Sequence, residues 1–248
     1  MNTIIKYENK DNYLFHFYTT EFTDYTCKFN LNSVNNYVLL DNNTIILNKN
    51  NCNNTTINLT VLDSNNDVLY EYEIDDIVDY KNLMFDEFKS SLNLKDISGI
   101  RVRNSVNNRF QHYKFPLKCG FIFSRKDELS DNDLTFDSNI NKRHDITLFI
   151  DENENIIINK LYDEQDNDMI YTTIVSGINV DIKKHVDTEL LFRFFVEHVF
   201  NNEIYYAYSK DYVTSLITIA DSIYNSENFE ENYPDDIKDI ITRIINAK

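Results

Sequence analysis

The chain has 248 residues, a formal net charge of −17, 42% hydrophobic residues, and 17 Phe with 17 Tyr. That is enough apolar material for one large folded domain or two small ones, and it excludes a disordered chain. The acidity disfavours general adhesion to nucleic acid or to anionic lipid.

Glycine and proline are scarce, 3 and 2 residues, and Asn is abundant, with 36. Gly, Ala and Pro have GC-rich codons whereas Asn, Ile, Tyr, Phe and Lys have AT-rich ones, so the composition reads as an AT-rich genome, of the kind many viruses, phages and low-GC microbes carry. Asn and Asp are expected to take the left-handed turn positions that Gly usually fills. With Gly99, Gly120 and Gly177 as the only glycines, no GxGxxG, GxxxxGK[ST] or GxSxG motif exists, which excludes phosphate cradles and nucleophile elbows of those types.

The first third reads as β. Apolar runs at 3–7, 13–22, 26–31, 37–47, 56–62 and 68–74 recur roughly every ten residues between Asn/Asp turns, the pattern of an antiparallel sandwich or open barrel. Asp79 is placed to cap a helix carrying Met84, Phe85, Phe88 and Leu92.

Then comes the most distinctive stretch, 97–126, which contains no Asp or Glu. It holds Arg101, Arg103, Arg109, Lys114, Lys118, Arg125 and Lys126, interleaved with Phe110, Tyr113, Phe115, Phe121 and Phe123. Removing these seven positive charges leaves −24 on the rest of the chain. The strip reads as a strand, an Asn-rich turn and two apolar runs around Pro116 and Gly120. Three roles fit it: internal compensation of the surrounding acids, recognition of an acidic protein surface, or contact with the backbone of a nucleic acid or another phosphate. The seven cations are the candidate partner- or anion-binding residues. Net charge weighs against nucleic acid, and Arg101, Arg103 and Arg109 lead because Arg grips carboxylates bidentately.

Beyond an acidic loop over 127–141, a hairpin is expected at 146–160 and a strand at 169–175. The segment NENIIINK at 153–160 matches NNTIILNK at 42–49 in five of eight positions, which shared turn and strand preferences explain as well as duplication does. Asp187 is placed to cap a helix carrying Leu190, Leu191, Phe194, Phe195 and Val199, and Ser209 a second with Val213, Leu216, Ala220 and Ile223. Pro234, Asp235 and Asp236 open a last helix with an Ile237, Ile240, Ile241, Ile244 and Ile245 stripe.

Other motifs read as ordinary structure. His144-Asp145 opens a strand and lacks the helices an HD metal site needs. Asp151, Asn153 and Asn155 begin like a calcium loop, but Ile156 replaces the Gly at the sixth position and Tyr162 the Glu at the twelfth. Asp131 with Asp133, and Asp166 with Asp168, are solvated acidic loops. Glu197-His198 has no HExxH continuation. Asp79-x-Lys81 and Glu87-x-Lys89 fall on the expected helix, away from the strand a metal nuclease needs. Cys27, Cys52 and Cys119 are odd in number with no CxxC, the pattern of reduced thiols. Sequons starting at Asn42, Asn53, Asn54 and Asn58 are chance in so Asn-rich a chain, because residues 1–15 lack the apolar run of a secretory signal. No run of about 18 apolar residues is present.

The sequence thus sets out an α+β architecture: an N-terminal antiparallel β sandwich or barrel-like region over 1–78, a mixed region over 79–183, and a helical segment over 184–248. It implies no cofactor, no metal and no catalytic residue. The leading function is a non-enzymatic structural or assembly protein of a virus or phage particle, binding other subunits through segregated charge, in host cytoplasm or the virion. The alternatives are an acidic protein that binds and inhibits a host factor, with nucleic-acid mimicry as its device, and a hydrolase or nuclease with an unrecognised site.

Overall fold

The computed structural model describes residues 2–32, 37–94, 99–106, 119–129, 134–136, 143–146, 149–150, 156–157 and 169–247. In chain order the strands are β1 (Asn2–Glu8), β2 (Asn12–Thr19), β3 (Thr26–Leu31), β4 (Tyr37–Asp41), β5 (Thr44–Asn48), β6 (Ile57–Leu62), β7 (Val68–Ile74), β8 (Lys89–Asn93), β9 (Gly99–Val106), β10 (Cys119–Arg125), β11 (Arg143–Ile146), β12 (Phe149–Ile150), β13 (Ile156–Ile157) and β14 (Met169–Ser176). Helix α1 (Lys183–Asp187) follows, then β15 (Leu190–Phe200), β16 (Glu203–Tyr208), β17 (Tyr212–Thr214), α2 (Leu216–Tyr224), α3 (Phe229–Asn232) and α4 (Asp235–Asn246). The described residues divide into two compact units: those within Met1–Phe85 and Phe195–Lys210 form the first, and those within Asp86–Asn108, Cys119–Phe194 and Asp211–Lys248 the second.

In the first unit, strands run in the order β16-β1-β2-β5-β4, with the second half of β15 paired to β16. The three strands β3-β6-β7 form another sheet. All pairings are antiparallel, with Ile4 opposite Phe17 and Phe15 opposite Ile45. Side chains from both sheets, among them Phe15, Phe17, Phe29, Ile45, Leu59 and Val61, make one buried cluster, so this unit is a β sandwich. Fully burying each such side chain contributes about 1.5–3 kcal/mol.

One join in this unit is made by a side chain. β1 meets β16 only at Glu8 opposite Tyr206. Beyond that point the Asn82 amide fills the ladder: its oxygen accepts from Lys6 N at 2.7 Å, and its nitrogen donates to Lys6 O at 2.8 Å and Tyr208 O at 3.3 Å. A buried amide thereby satisfies backbone groups that would otherwise be orphaned.

The second unit has the sheet β14-β9-β8, the ladder β11-β10-β15 with β17 on the first half of β15, and the pair β12-β13. Aromatic contacts cement it: Phe121 meets Phe194 edge-on at 5.1 Å between ring centres, and Phe88 stacks on Tyr212 at 5.0 Å. Buried Arg193 pairs with Asp211 and donates to Leu134 O at 3.1 Å. Ile241 and Ile244 of α4 are buried in the same unit, where α4 packs on α2, so the isoleucine stripe faces its own core. Gly99 is demanded by packing: a Cβ there would collide with Val175 O across the β9–β14 pair.

The structure is mostly β, which corrects the α+β expectation. The helix expected from Asp79 is absent. The Asp76 carboxylate instead accepts from Val78 N and Asp79 N in a local turn, and the chain runs on through Asn82 into β8. The helix expected at Leu190–Val199 is strand β15, in which residues 190–197 are all buried. Burial on both faces removes the alternation that marks a strand, so the apolar positions matched helical spacing by default. Asn201 (φ 49°) and Asn202 (φ 65°) then close a two-residue hairpin into β16. The helix assigned to a Ser209 cap starts later: Ser215 is the cap, its Oγ accepting from Thr218 N at 3.2 Å, and Val213 lies in β17.

The expected use of Asn at left-handed turns is observed. Every described non-Gly residue with positive φ is Asn: Asn54, Asn66, Asn201 and Asn202. Among the described residues no helix is long and apolar enough to cross a membrane.

Candidate functional site

The cationic strip does not form one surface of uniform character. Arg101 and Arg103 lie on β9, whose burial alternates: Ile100, Val102 and Asn104 face inward, and the two arginines face the other way, half-buried. Register sets Lys89 of β8 directly opposite Arg103, and Ser91 opposite Arg101. Three cations therefore share one face, at about 4.5–5.5 Å between Cβ atoms for the directly opposed pair. Like charges so placed repel, and among the described residues none of the three meets an acid. Arg101 donates to the Asn93 amide oxygen at 3.4 Å, and the Arg103 Nε is buried with no hydrogen-bond partner among the described residues.

The far end of the strip is different. Arg125 at the close of β10 pairs with Asp127 at 2.6 Å and Glu128 at 3.5 Å, and Lys126 with Glu189 at 2.8 Å. These cations have their counter-ions within the same unit. The neighbouring Phe121 and Phe123 are buried in the core and offer no stacking face. Arg109, Lys114, Lys118, Phe110, Tyr113 and Phe115 lie outside the described residues, as do Asp131, Asp133, Asp151, Asn153, Asn155, Asp166 and Asp168.

A cleft of about 760 Å³ opens beside Arg125, bounded by Ser124, Glu128, Lys184, His185 and Thr188. Its charges are mixed, and Arg125 reaches it already committed to two acids.

An acidic row stands elsewhere, on the first unit. Glu71 and Glu73 point outward from β7, the edge strand of its sheet, and Asp75, Asp76 and Asp79 continue the line, all exposed. Among the described residues none of these five pairs with a cation. Sequence reasoning passed over this row because β7 alternates with Tyr70 and Tyr72 like any amphipathic strand. It placed Lys89, in Glu87-x-Lys89, on the expected helix; that residue instead opens strand β8 and joins the arginines only through strand register.

The remaining candidates fall into structural roles. His144 and Asp145 sit on β11 opposite Ile122 and Phe121. Glu197 and His198 lie on β15, where the His198 ring stacks on Tyr7 at 4.8 Å. Burial lowers the His198 pKa, and it draws that of nearby His16, whose Nδ1 is 2.9 Å from Thr44 Oγ1, down to about 4. Both rings are thus neutral at pH 7, and each is half-buried. Cys27 and Cys52 are buried without a disulfide, and desolvation pushes the Cys27 thiol up to about 12, which makes it a poor nucleophile. Among the described residues no three His, Cys, Asp or Glu side chains gather to hold a metal.

No protein-family model matches the chain, and a search of curated proteins finds no match. Among solved structures, one similar chain belongs to work titled "Structural basis of neurohormone perception by the receptor tyrosine kinase Torso", at 15% identity over 86% of this chain and 72% of that one, with a TM-score of 0.22. A likeness at that level lends this chain neither a fold nor a function.

Proposed function

We propose that the protein is a non-enzymatic assembly component, a subunit of a virus or phage particle, that joins its neighbours through segregated charge. The observation that carries this is the Lys89, Arg101 and Arg103 face, three cations brought together by β8–β9 register with no acid among the described residues. Held alone, such a face is destabilising; an acidic surface from another subunit relieves the repulsion and supplies bidentate partners for arginine. The Glu71–Glu73 row with Asp75, Asp76 and Asp79 is a surface of the required sign on the same chain. A contact between two different patches is heterologous, and repeated it closes a ring or extends a filament. The placement in a virus or phage particle rests on the Asn-rich, Gly-poor composition.

The test is size-exclusion chromatography with light scattering at about 50 mM and 500 mM salt, across which the screening length falls roughly threefold. The expected result is a defined oligomer at low salt that dissociates at high salt, and a monomer at both salts for the triple variant Lys89→Gln, Arg101→Gln, Arg103→Gln. A wild-type monomer under both conditions, or co-elution with nucleic acid, contradicts the reading.

A further inference from the structure

Two strands with free outer edges, β7 and β8, carry charges of opposite sign. Among the described residues β7 pairs only with β6 and β8 only with β9, and neither strand makes a further backbone hydrogen bond. At the edge of an antiparallel sheet every second residue leaves both its N–H and its C=O unpaired. No residue of β8 is buried, and a half-open groove of about 340 Å³ runs beside Ser90 and Ser91, which leaves room along this edge. On β7, Val68, Leu69, Glu71 and Glu73 are all exposed.

Free edges invite pairing with another chain, and charged side chains are the usual guard against it. Here the guards differ in sign. Two β7 edges brought together oppose Glu71 and Glu73 to the same glutamates of the other copy. Two β8 edges oppose Lys89, Arg101 and Arg103 to the same three cations. A β7 edge against a β8 edge meets no such penalty, so the charges that forbid the like pairings select the unlike one.

Alternation then fixes the register. Lys89 and Ser91 share the face of Arg103 and Arg101, while Glu71 and Glu73 share the outward face of β7 and Tyr70 and Tyr72 pack on its core. Matching those two charged faces sets a carboxylate beside Lys89. It also brings both glutamates within two strand spacings of β9, roughly 10 Å, a gap that Glu and Arg side chains bridge together. A slip of one residue turns both carboxylates to the opposite face, away from the cations.

We infer that successive copies join by edge pairing: the β7 edge of one copy adds to the β8 edge of the next, and main-chain hydrogen bonds carry one sheet across the contact. This joint rests on the head-to-tail reading above and gives that contact a geometry. Side-chain charge chooses the partner and the register, and the backbone holds them.

The test is amide hydrogen exchange on the wild type at about 50 mM and about 500 mM salt, with the Lys89→Gln, Arg101→Gln, Arg103→Gln variant as the monomer reference. In the low-salt assembly, alternate amides within 68–74 and 89–93 are expected to slow at least tenfold relative to the monomer. The amides of β4, an edge strand in the first unit with no charge complement, exchange as before. An assembly whose β7 and β8 amides keep the monomer rate, or in which slowing is confined to β4, overturns edge pairing and leaves the charge-driven contact standing. A wild type that is monomeric at both salts overturns both.

Discussion

The two ends of the cationic strip obey different rules. Arg125 closes β10 and Lys126 opens the turn that follows, beside Asp127, Glu128 and Glu189, and both are neutralised within their own unit. Arg101 and Arg103 sit mid-strand, where neighbours are fixed by register, and register gives them Lys89. In the turn, flexible side chains find whatever acid is near; on the sheet, each cation takes the neighbours the ladder assigns. A single charge count over 97–126 merges a satisfied end with an unsatisfied one, and only the unsatisfied end has reason to reach outside the molecule.

The comparison breaks first if β9 is displaced. Gly99→Ala drives a methyl into Val175 O, and the expected loss is about 3 kcal/mol in urea unfolding, with the cationic face lost as β9 separates from β14. Unchanged stability would mean that the β9–β14 approach is looser than the geometry requires.

Acid pH must be separated from assembly before salt or pH effects are assigned to either end. His16 has a folded pKa of about 4 against an ordinary 6.5, with burial the chief cause. The depressed pKa of a base means that the unfolded chain takes up the proton first. Stability is therefore full above pH 6.5 and falls as pH drops toward 4, by roughly 3 kcal/mol. His16→Gln flattens that slope in thermal melts between pH 7 and 4; an unaltered slope would place the titration elsewhere.

Removing the paired end is a milder change. Arg125→Gln with Lys126→Gln is expected to lower stability by about 1 kcal/mol or less, as exposed pairs do, and to leave association untouched. Arg101→Gln with Arg103→Gln has the opposite signature, no loss of stability and no association. The smallest effect belongs to Lys89→Gln alone, a gain of a few tenths of a kcal/mol as one like-charge pair disappears.

How far the sequence carried differs by region for physical reasons. β3 and β7 were legible to the residue, because one face of each meets the core and the other meets solvent, and Asn/Asp turns separate them. The last helix was legible because Pro234, the first-turn acids and an isoleucine period of 3–4 agree. Leu190–Phe200 was misread because burial on both faces erases the period of two. The signal that corrects it was present in Asn201-Asn202, adjacent left-handed formers that mark a two-residue hairpin and sit poorly inside a helix. Of the candidate site, Arg101 and Arg103 were visible in composition. Lys89 and the Glu71–Glu73 row were not, since cross-strand register and edge position are properties of the sheet.

The most direct measurement is charge-swap complementation by light scattering at about 50 mM salt. Variant one carries Arg101→Glu and Arg103→Glu; variant two carries Glu71→Lys and Glu73→Lys. Head-to-tail contact between the β9 face and the β7 edge predicts that each variant alone is monomeric and that an equimolar mixture regains the wild-type mass. A mixture that stays monomeric while the wild type assembles, or either variant assembling unaided, would contradict the contact.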